Sequence, residues 1–174
     1  QQVKAEMESL KVESPSKMIM ATNLFHSAYV LCSEEQCKNP LAAIEYLTGA
    51  INLKPDYMEA IYNRGTVYIT IGQYQKAIQD FSEVIRQRPN HVKACYNRGI
   101  AFIKIRQYPA AIEDFDRSII LKPDYADAYN NRGTAYLLQG NRILGCQDAK
   151  KACELGTCRT IEAAKKRGYC NETS

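Results

Sequence analysis

The sequence lacks the features of several large functional classes. No apolar run approaches the about 20 residues that cross a membrane, so no membrane span is predicted. Histidine occurs only at His26 and His91, and neither lies in a motif that predicts a catalytic base. There is also no glycine-rich phosphate loop, nucleophile elbow or paired-carboxylate motif. We therefore expect no catalytic residue, no cofactor and no enzyme activity.

The charge balance excludes a further class of partner. The 174 residues carry a formal net charge of +4, with both signs mixed along the chain. Without a basic stripe that could follow a phosphate backbone, we expect no nucleic-acid partner. Because the chain starts at Gln1 and not at Met, we expect a trimmed or mature form from which a targeting segment has been removed.

The sequence does contain a unit that repeats every 34 residues. The run Asn63-Arg64-Gly65 recurs as Asn97-Arg98-Gly99 and as Asn131-Arg132-Gly133, and Pro55, Pro89 and Pro123 keep the same step. Within each unit, apolar residues spaced at i, i+4 and i+7 predict helices with one buried stripe. A fixed period of this length with helical patterning is typical of stacked helical repeats.

The residue classes within each unit resemble those of tetratricopeptide repeats (TPRs). They include two small residues, two aromatic residues and a bulky residue at fixed offsets, followed by a closing proline. In one unit these are Gly65, Tyr68, Tyr74, Ala77, Phe81 and Pro89. The resemblance covers about four fifths of the chain and implies an all-α, right-handed TPR solenoid of antiparallel helix hairpins with a C-terminal capping helix.

The repeat register predicts the boundaries of the segments. We expect an N-terminal arm (1–14), a degenerate first TPR with a lengthened turn (15–57), three further TPRs (58–91, 92–125 and 126–156) and a cysteine-containing cap helix and tail (157–174). The first helix carries an apolar pattern of Met18, Ile19, Leu24, Phe25 and Ala28.

The last repeat departs from the pattern of its sister units. Gly145 replaces the small-residue alanine and Ala149 replaces the bulky residue. We therefore expect thin packing in this repeat.

Three arginines stand where the TPR pattern has an apolar residue. Each is followed 16 residues later by an aspartate, which gives the pairs Arg64 with Asp80, Arg98 with Asp114 and Arg132 with Asp148. In an antiparallel hairpin the two positions lie at similar heights on facing helices. We favour a partly buried, charge-assisted structural pair in each hairpin. The alternative interpretation is a site for an anionic ligand built from the three arginines.

In TPR proteins the first helix of each unit lines the concave face, and the resemblance assigns this peptide-binding role to twelve residues here. They are Tyr62, Asn63, Thr66, Ile69, Lys93, Tyr96, Asn97, Ile100, Lys104, Asn130, Asn131 and Thr134. The tyrosines can stack on apolar side chains, and the asparagines can bond the backbone of an extended peptide. A helix-packing role is the alternative for the asparagines.

The function predicted from this face is a non-catalytic adaptor that binds a protein or peptide. The alternative is a self-associating structural module of an extracytoplasmic assembly. Its contact would be made through an uncapped repeat edge or the N-terminal arm.

Seven cysteines are unevenly placed. Cys146 and Cys153 lie about 10 Å apart along one helix, too far to bond each other. Cys153 and Cys158 flank a turn, and an antiparallel last helix returns Cys170 to the level of Cys146. We therefore expect disulfides Cys153–Cys158, Cys146–Cys170 and Cys32–Cys37, with Cys95 left as a small buried apolar residue.

This disulfide framework predicts a periplasmic or otherwise extracytoplasmic location, with the cytoplasm as the alternative. Similar cysteine-rich ends occur in the extracytoplasmic bacterial TPR proteins that the chain resembles. A zinc–thiolate site or a redox pair is the alternative for the C-terminal cysteines. The CxxC spacing that would favour either one is absent, so we predict no metal.

Overall fold

The computed structural model describes residues 15–33 and 36–170, which form nine α-helices and one short two-stranded ribbon. The predicted N-terminal arm and the last four residues of the predicted tail lie outside the described residues. The chain divides into two compact units, Gln1–Val67 and Tyr68–Ser174.

The first unit is built on one helix hairpin. Helix α1 (Pro15–Leu31) is followed by strands β1 (Cys32–Ser33) and β2 (Gln36–Cys37) and by helix α2 (Pro40–Leu53). Helix α3 (Met58–Thr70) comes next, and the boundary between the units falls within it. Asn39 caps α2, because its side-chain oxygen accepts a hydrogen bond from the backbone N–H of Ala42 at 3.2 Å.

The second unit continues with six helices of similar spacing. They are α4 (Tyr74–Gln87), α5 (Val92–Lys104), α6 (Tyr108–Leu121), α7 (Ala126–Leu138), α8 (Arg142–Glu154) and α9 (Arg159–Lys166). Residues 41–156, all of which are described, contain only helices and turns. The all-α class and the C-terminal capping helix predicted from the sequence are confirmed.

The lengthened turn of the first repeat is a small β-ribbon. Cys32 lies directly opposite Cys37, and Ser33 opposite Gln36, in an antiparallel pair. A disulfide bond joins Cys32 to Cys37 across this pair. The extra residues of the turn thus close into a covalent loop between α1 and α2.

The apolar pattern predicted for α1 is only partly buried. Ala21 and Ala28 are buried, and Leu24 and Phe25 pack against the core of the first unit. Met18 and Ile19 are instead 51% and 61% exposed, so these two members of the apolar pattern lie outside the buried face of the helix. With 17 residues against the 14 of α2, the first turn of α1 reaches beyond its partner in the hairpin.

Small residues set the distance between helices in the second unit. A Cβ atom added to Gly99 on α5 would lie 2.8 Å from a ring carbon of Phe115 on α6, and Phe115 is fully buried. The glycine therefore leaves the space that the phenyl ring fills.

The prediction of thin packing in the last repeat was also wrong. A Cβ atom on Gly133 would lie 3.0 Å from the carbonyl oxygen of Gly145 and 3.2 Å from the backbone nitrogen of Ala149. A Cβ atom on Gly145 would lie 2.6 Å from Cγ of Leu137. Two facing glycines let α7 and α8 approach backbone to backbone, so no bulky residue is needed between them.

Candidate functional site

The first helices of two repeats, α5 and α7, are joined through a tyrosine and an asparagine. The side-chain amide of Asn131 donates a hydrogen bond to the Tyr96 hydroxyl at 2.9 Å. The Tyr96 ring lies 4.8 Å from the ring of Tyr125 and 5.8 Å from that of Phe115. Burial, with a smaller contribution from the charge of Asp127, raises the pKa of Tyr96 to about 12. The Tyr96 side chain therefore contributes mainly to the packing of the helices, and less to a surface on which a ligand could stack.

Several other predicted residues on α5 and α7 reach the surface. Lys93 and Lys104 are exposed at the two ends of α5, and Ile100 is half-buried between them. Asn131 is half-buried on α7. Its amide oxygen accepts from the Asn130 amide at 3.4 Å. Asn131 thus lies in a partly exposed region of α5 and α7 that carries both polar and aliphatic side chains.

Three residues predicted to bind peptide lie on the part of α3 that belongs to the first unit. Tyr62, Asn63 and Thr66 are half-buried there. The Thr66 hydroxyl donates to the backbone oxygen of Tyr62 at 3.1 Å. Ile69 and Asn97, in the second unit, are also half-buried.

The cap helix α9 covers part of the predicted peptide face. Asn130 is 5% exposed, and its side-chain oxygen accepts from the backbone N–H of Thr160 at 3.0 Å. The hydroxyls of Thr134 and Thr160 lie 2.8 Å apart, and Arg159 pairs with Asp127 at 2.9 Å. Asn130 and Thr134 thus both contribute to docking the cap, and their role in peptide binding stays a prediction.

Two of the three predicted ion pairs lie within the second unit. Arg98 binds both carboxylate oxygens of Asp114, at 2.8 Å from Nε and 2.7 Å from Nη2. Arg132 binds Asp148 in the same manner, at 2.7 and 2.6 Å. Asp114 is nearly buried, with 4% of its side chain exposed. The pair of Arg64 with Asp80 stays a prediction.

The third guanidinium nitrogen of each arginine reaches the preceding repeat. Nη1 of Arg98 donates to the Ser82 hydroxyl at 3.0 Å, and Nη1 of Arg132 to Asp116 at 2.6 Å. In the first unit, Nη1 of Arg64 donates to the Thr48 hydroxyl at 3.1 Å. Each acceptor lies 16 residues before its arginine, a regularity that the sequence analysis missed. We call this three-helix arrangement the arginine staple.

The electrostatics agree with a structural role for the staple. The hydrogen bonds with Asp114 raise the pKa of Arg98, and those with Asp148 raise the pKa of Arg132. Burial outweighs the effect of Arg98 on its partner and raises the pKa of Asp114. Because Nε, Nη1 and Nη2 of Arg98 and Arg132 each donate to an internal acceptor, these contacts favour the structural pairs over a site for an anionic ligand.

The six cysteines expected to bond are joined in the expected pairs. Disulfides link Cys146 to Cys170 and Cys153 to Cys158 around α8 and α9, in addition to the bond in the first unit. Cys95 is a free, fully buried thiol, and burial raises its pKa. It packs as the small apolar residue that the sequence predicts.

His91 caps helix α5, a role that the sequence analysis did not assign. Its Nδ1 accepts a hydrogen bond from the backbone N–H of Ala94 at 3.1 Å. The equivalent position before α7 is Tyr125, whose side chain makes no such capping bond. Among residues 15–33 and 36–170, no group of three or more His, Cys, Asp or Glu could hold a metal ion. In the same residues, no helix is both long and apolar enough to cross a bilayer.

Comparisons with known proteins identify the repeats. A family model for the tetratricopeptide repeat matches residues 59–91, which contain α3 from its second residue and all of α4. A second model, described as TPR repeat, matches residues 106–140, which contain α6 and α7. A TPR repeat-containing protein from Rhizobium etli is 42% identical over 50 residues. That alignment covers 29% of this chain and 24% of the relative.

Solved structures share the same arrangement of helices. MamA from Desulfovibrio magneticus RS-1, residues 41 to the end, is 28% identical with a TM-score of 0.71, over 80% of this chain and 76% of that one. Another MamA crystal structure is 26% identical with a TM-score of 0.70, over 84% and 75%.

This chain contains tetratricopeptide repeats at residues 59–91 and 106–140. The first TPR of Spaghetti (RPAP3), solved with the HSP90 peptide SRMEEVD, has the same fold with a TM-score of 0.61 at 20% identity. The alignment covers 64% of this chain and 90% of the RPAP3 domain.

The arginine staple predicts a specific pattern of stability changes. Arg98→Leu should lower the free energy of unfolding by about 2–4 kcal/mol, because it leaves the Asp114 carboxylate buried without a partner. Adding Asp114→Leu should restore part of that loss, since no buried charge then remains. Urea denaturation of the two single variants and the double variant measures both effects.

The matched control is Arg117→Leu, which removes an exposed arginine from α6 and should change the stability by less than about 0.5 kcal/mol. An Arg98→Leu variant as stable as this control would show that the staple contributes nothing to folding.

Proposed function

We propose that this TPR protein is a non-catalytic adaptor that binds an extended protein or peptide segment along α5 and α7. The observation that carries the proposal is the hydrogen-bonding capacity that the Asn131 side-chain amide has left. A side-chain amide has two N–H donors and an oxygen with two lone pairs. Asn131 uses one donor for Tyr96 and one lone pair for Asn130, and it remains half-exposed. One donor and one acceptor are left, which match one peptide unit of a bound chain.

The surroundings of Asn131 support this assignment. The hydrogen bond to Tyr96 holds the amide in one orientation, so little side-chain freedom would be lost on binding. The half-buried Ile100 offers an aliphatic contact, and Lys93 and Lys104 offer charge at either end of α5. The peptide held by the RPAP3 domain supports the capacity of this fold to hold an extended segment.

The proposed binding mode predicts the effect of removing the Asn131 side-chain amide. A peptide selected from a display library against the wild-type chain should bind Asn131→Ala about thirtyfold more weakly, since roughly two hydrogen bonds of about 1 kcal/mol each are lost. Fluorescence anisotropy with the labelled peptide measures the affinity. Asn90→Ala, which changes an exposed asparagine in a turn, should bind as wild type does. Equal affinities of the two variants would move the binding site away from α5 and α7.

We also propose that the protein works in an oxidising, extracytoplasmic compartment such as a bacterial periplasm. The support is the three disulfides, since bonds of this kind are rare in reducing cytosols. Cys170 is buried, and Cys146, Cys153 and Cys158 pack against the same small core as Ala149, Ile161 and Ala164. The bonds are thus part of the packing that attaches the cap.

Removal of a bond should destabilise the protein more when the bond closes a longer loop, with a loss that rises as the logarithm of the loop length. Cys146 and Cys170 are 24 residues apart and Cys153 and Cys158 are 5 apart. Chain entropy therefore predicts a loss of about 3 kcal/mol for Cys146→Ser with Cys170→Ser, and about 2 kcal/mol for Cys153→Ser with Cys158→Ser. Urea denaturation without reductant gives both values.

Mass spectrometry of wild-type protein prepared without reductant provides the control. The intact mass should be lower than that of the all-thiol chain by two hydrogen atoms for each bond. Cys95→Ala should leave the number of bonds unchanged. Four reactive C-terminal thiols would contradict both the bonds and the compartment, and stoichiometric zinc would favour the thiolate site.

A second candidate function, self-association, is favoured by the surface of α1. This helix of 17 residues has one charged residue, Lys17. Five of its large apolar side chains are more than half exposed: Met18 by 51%, Ile19 by 61%, Met20 by 56%, Tyr29 by 54% and Val30 by 78%. An uncharged apolar face can meet its own copy without bringing like charges together.

Light scattering of the full chain tests this second function. Self-association through α1 predicts an oligomer at micromolar concentration that Val30→Glu converts to a monomer. The matched control is Ile120→Glu, because Ile120 is a similarly exposed aliphatic residue at 77%, on α6. A wild-type protein that is already monomeric would exclude self-association and leave the adaptor function untouched.

A further inference from the structure

The positive charge of the chain is concentrated in the last hairpin and its cap, contrary to the even mixture expected from the sequence. Residues 141–170 contain seven Lys and Arg and three Asp and Glu, a net charge of +4. The other residues contain sixteen of each sign, so they are neutral overall. One of the three acids, Asp148, is nearly buried against Arg132.

Most of these cations face solvent without a carboxylate partner. Lys151 pairs with Glu154 and Arg159 with Asp127. Within the described part of the chain, the other five cations are in no ion pair. They are Arg142, Lys150, Lys165, Lys166 and Arg167, and all five are exposed.

Three large aliphatic side chains project from the turn between α7 and α8. Leu138 is 48% exposed, Ile143 72% and Leu144 39%. The sister repeats have polar or small residues at the same offsets: Thr70 and Lys104, then Gln75 and Pro109, then Lys76 and Ala110. The TPR fold therefore does not require aliphatic residues at these three positions.

The cations and the aliphatic residues are held at one end of the hairpin. The guanidinium of Arg142 lies 4.3 Å from the ring centre of Tyr169, and Cys146 is bonded to Cys170. These two contacts return the chain that follows α9 to the start of α8, beside Ile143. Along α8, Lys150 follows Ile143 by seven residues, two helical turns on the same face.

We propose that this end of the protein, defined by Leu138, Arg142, Ile143, Leu144 and residues 165–167, docks on an anionic phospholipid bilayer. Exposed aliphatic residues would enter the boundary between headgroups and acyl chains, while the flanking cations contact the headgroups. Charge alone would fit an acidic protein equally well. The exposed Ile143 and Leu144 favour the bilayer, since an acidic partner would need only the cations, whereas a bilayer also takes up the aliphatic side chains beside them. The proposal is independent of peptide binding along α5 and α7.

Vesicle co-sedimentation of the full chain tests the proposal. Vesicles of equal parts phosphatidylglycerol and phosphatidylcholine should bind the protein at about 0.1 M salt, and about 0.5 M salt should release most of it. Vesicles of phosphatidylcholine alone should bind it at least about tenfold more weakly. No sedimentation with the anionic vesicles would overturn the proposal.

Two variants separate the contributions of charge and apolar contact. Lys165→Gln, Lys166→Gln and Arg167→Gln together should weaken binding by about tenfold or more, since each cation contributes near an anionic surface. Leu138→Thr with Ile143→Gln, which installs the residues found in a sister repeat, should weaken binding by about tenfold. Circular dichroism should show both variants folded.

Each variant has a matched control elsewhere on the second unit. Arg88→Gln, Arg117→Gln and Lys122→Gln remove three exposed cations, and Ile120→Gln removes an exposed aliphatic residue. Both controls should bind vesicles as wild type does. If the controls lost as much vesicle binding, the effect would come from total charge or hydrophobicity and the proposal would be overturned. Binding to polyglutamate but not to vesicles would replace the bilayer by an acidic protein.

The adaptor function is tested separately in the same assay. Asn131→Ala should bind vesicles as wild type does, and the Lys165–Arg167 variant should still bind the selected peptide. A result in which one activity fails and the other persists therefore identifies which proposal is wrong.

Discussion

The arginine staple is the interaction on which the regular part of this protein depends. One guanidinium, carried by the first helix of a repeat, binds the second helix of its own repeat through two nitrogens. Its third nitrogen binds the second helix of the repeat before. Arg98 and Arg132 both make this arrangement, and Arg64 makes the backward contact to Thr48. The usual TPR pattern has an apolar residue at the position of these arginines. Here directional hydrogen bonds with fixed lengths also specify which residues face one another, so a shift by one helical turn would leave buried charges without partners.

The period of 34 residues made the hairpins predictable, because each helix repeats the same small and bulky residues at the same offsets. The pairing of Arg98 with Asp114 was also predictable, since both residues appear together in every regular unit. The backward contacts were not, because their acceptors are Thr48, Ser82 and Asp116, three different residue types with no common motif. The covering of Asn130 and Thr134 depends on how α9 docks, and α9 has no counterpart among the other repeats.

The last hairpin shows how a local departure from the repeat pattern can preserve packing. Gly133 and Gly145 face one another, so α7 and α8 approach closely where a sister repeat places a phenyl ring. The packing is maintained by a shorter distance between the two helices and not by a bulky side chain in the space between them. Sequence patterns register the loss of a bulky residue directly, whereas the compensating approach of two backbones appears only in three dimensions. The same hairpin then carries two of the three disulfides, the cap and the cations, a combination absent from the other repeats.

The free thiol of Cys95 has a consequence for how the chain must fold. Six cysteines form three bonds, and the seventh lies on the first helix of a regular repeat with no partner. In an unfolded chain the Cys95 thiolate can attack a disulfide already formed by two of the other cysteines, which forms a wrong bond and releases one of the two sulfurs as a thiolate, and a further exchange must then reverse it. Its complete burial in the finished hairpin, together with a raised pKa, removes it from that chemistry. Collapse of α5 and α6 around Cys95 before oxidation at either end would therefore protect the correct bonds. A chaperone or isomerase becomes important when that order is reversed.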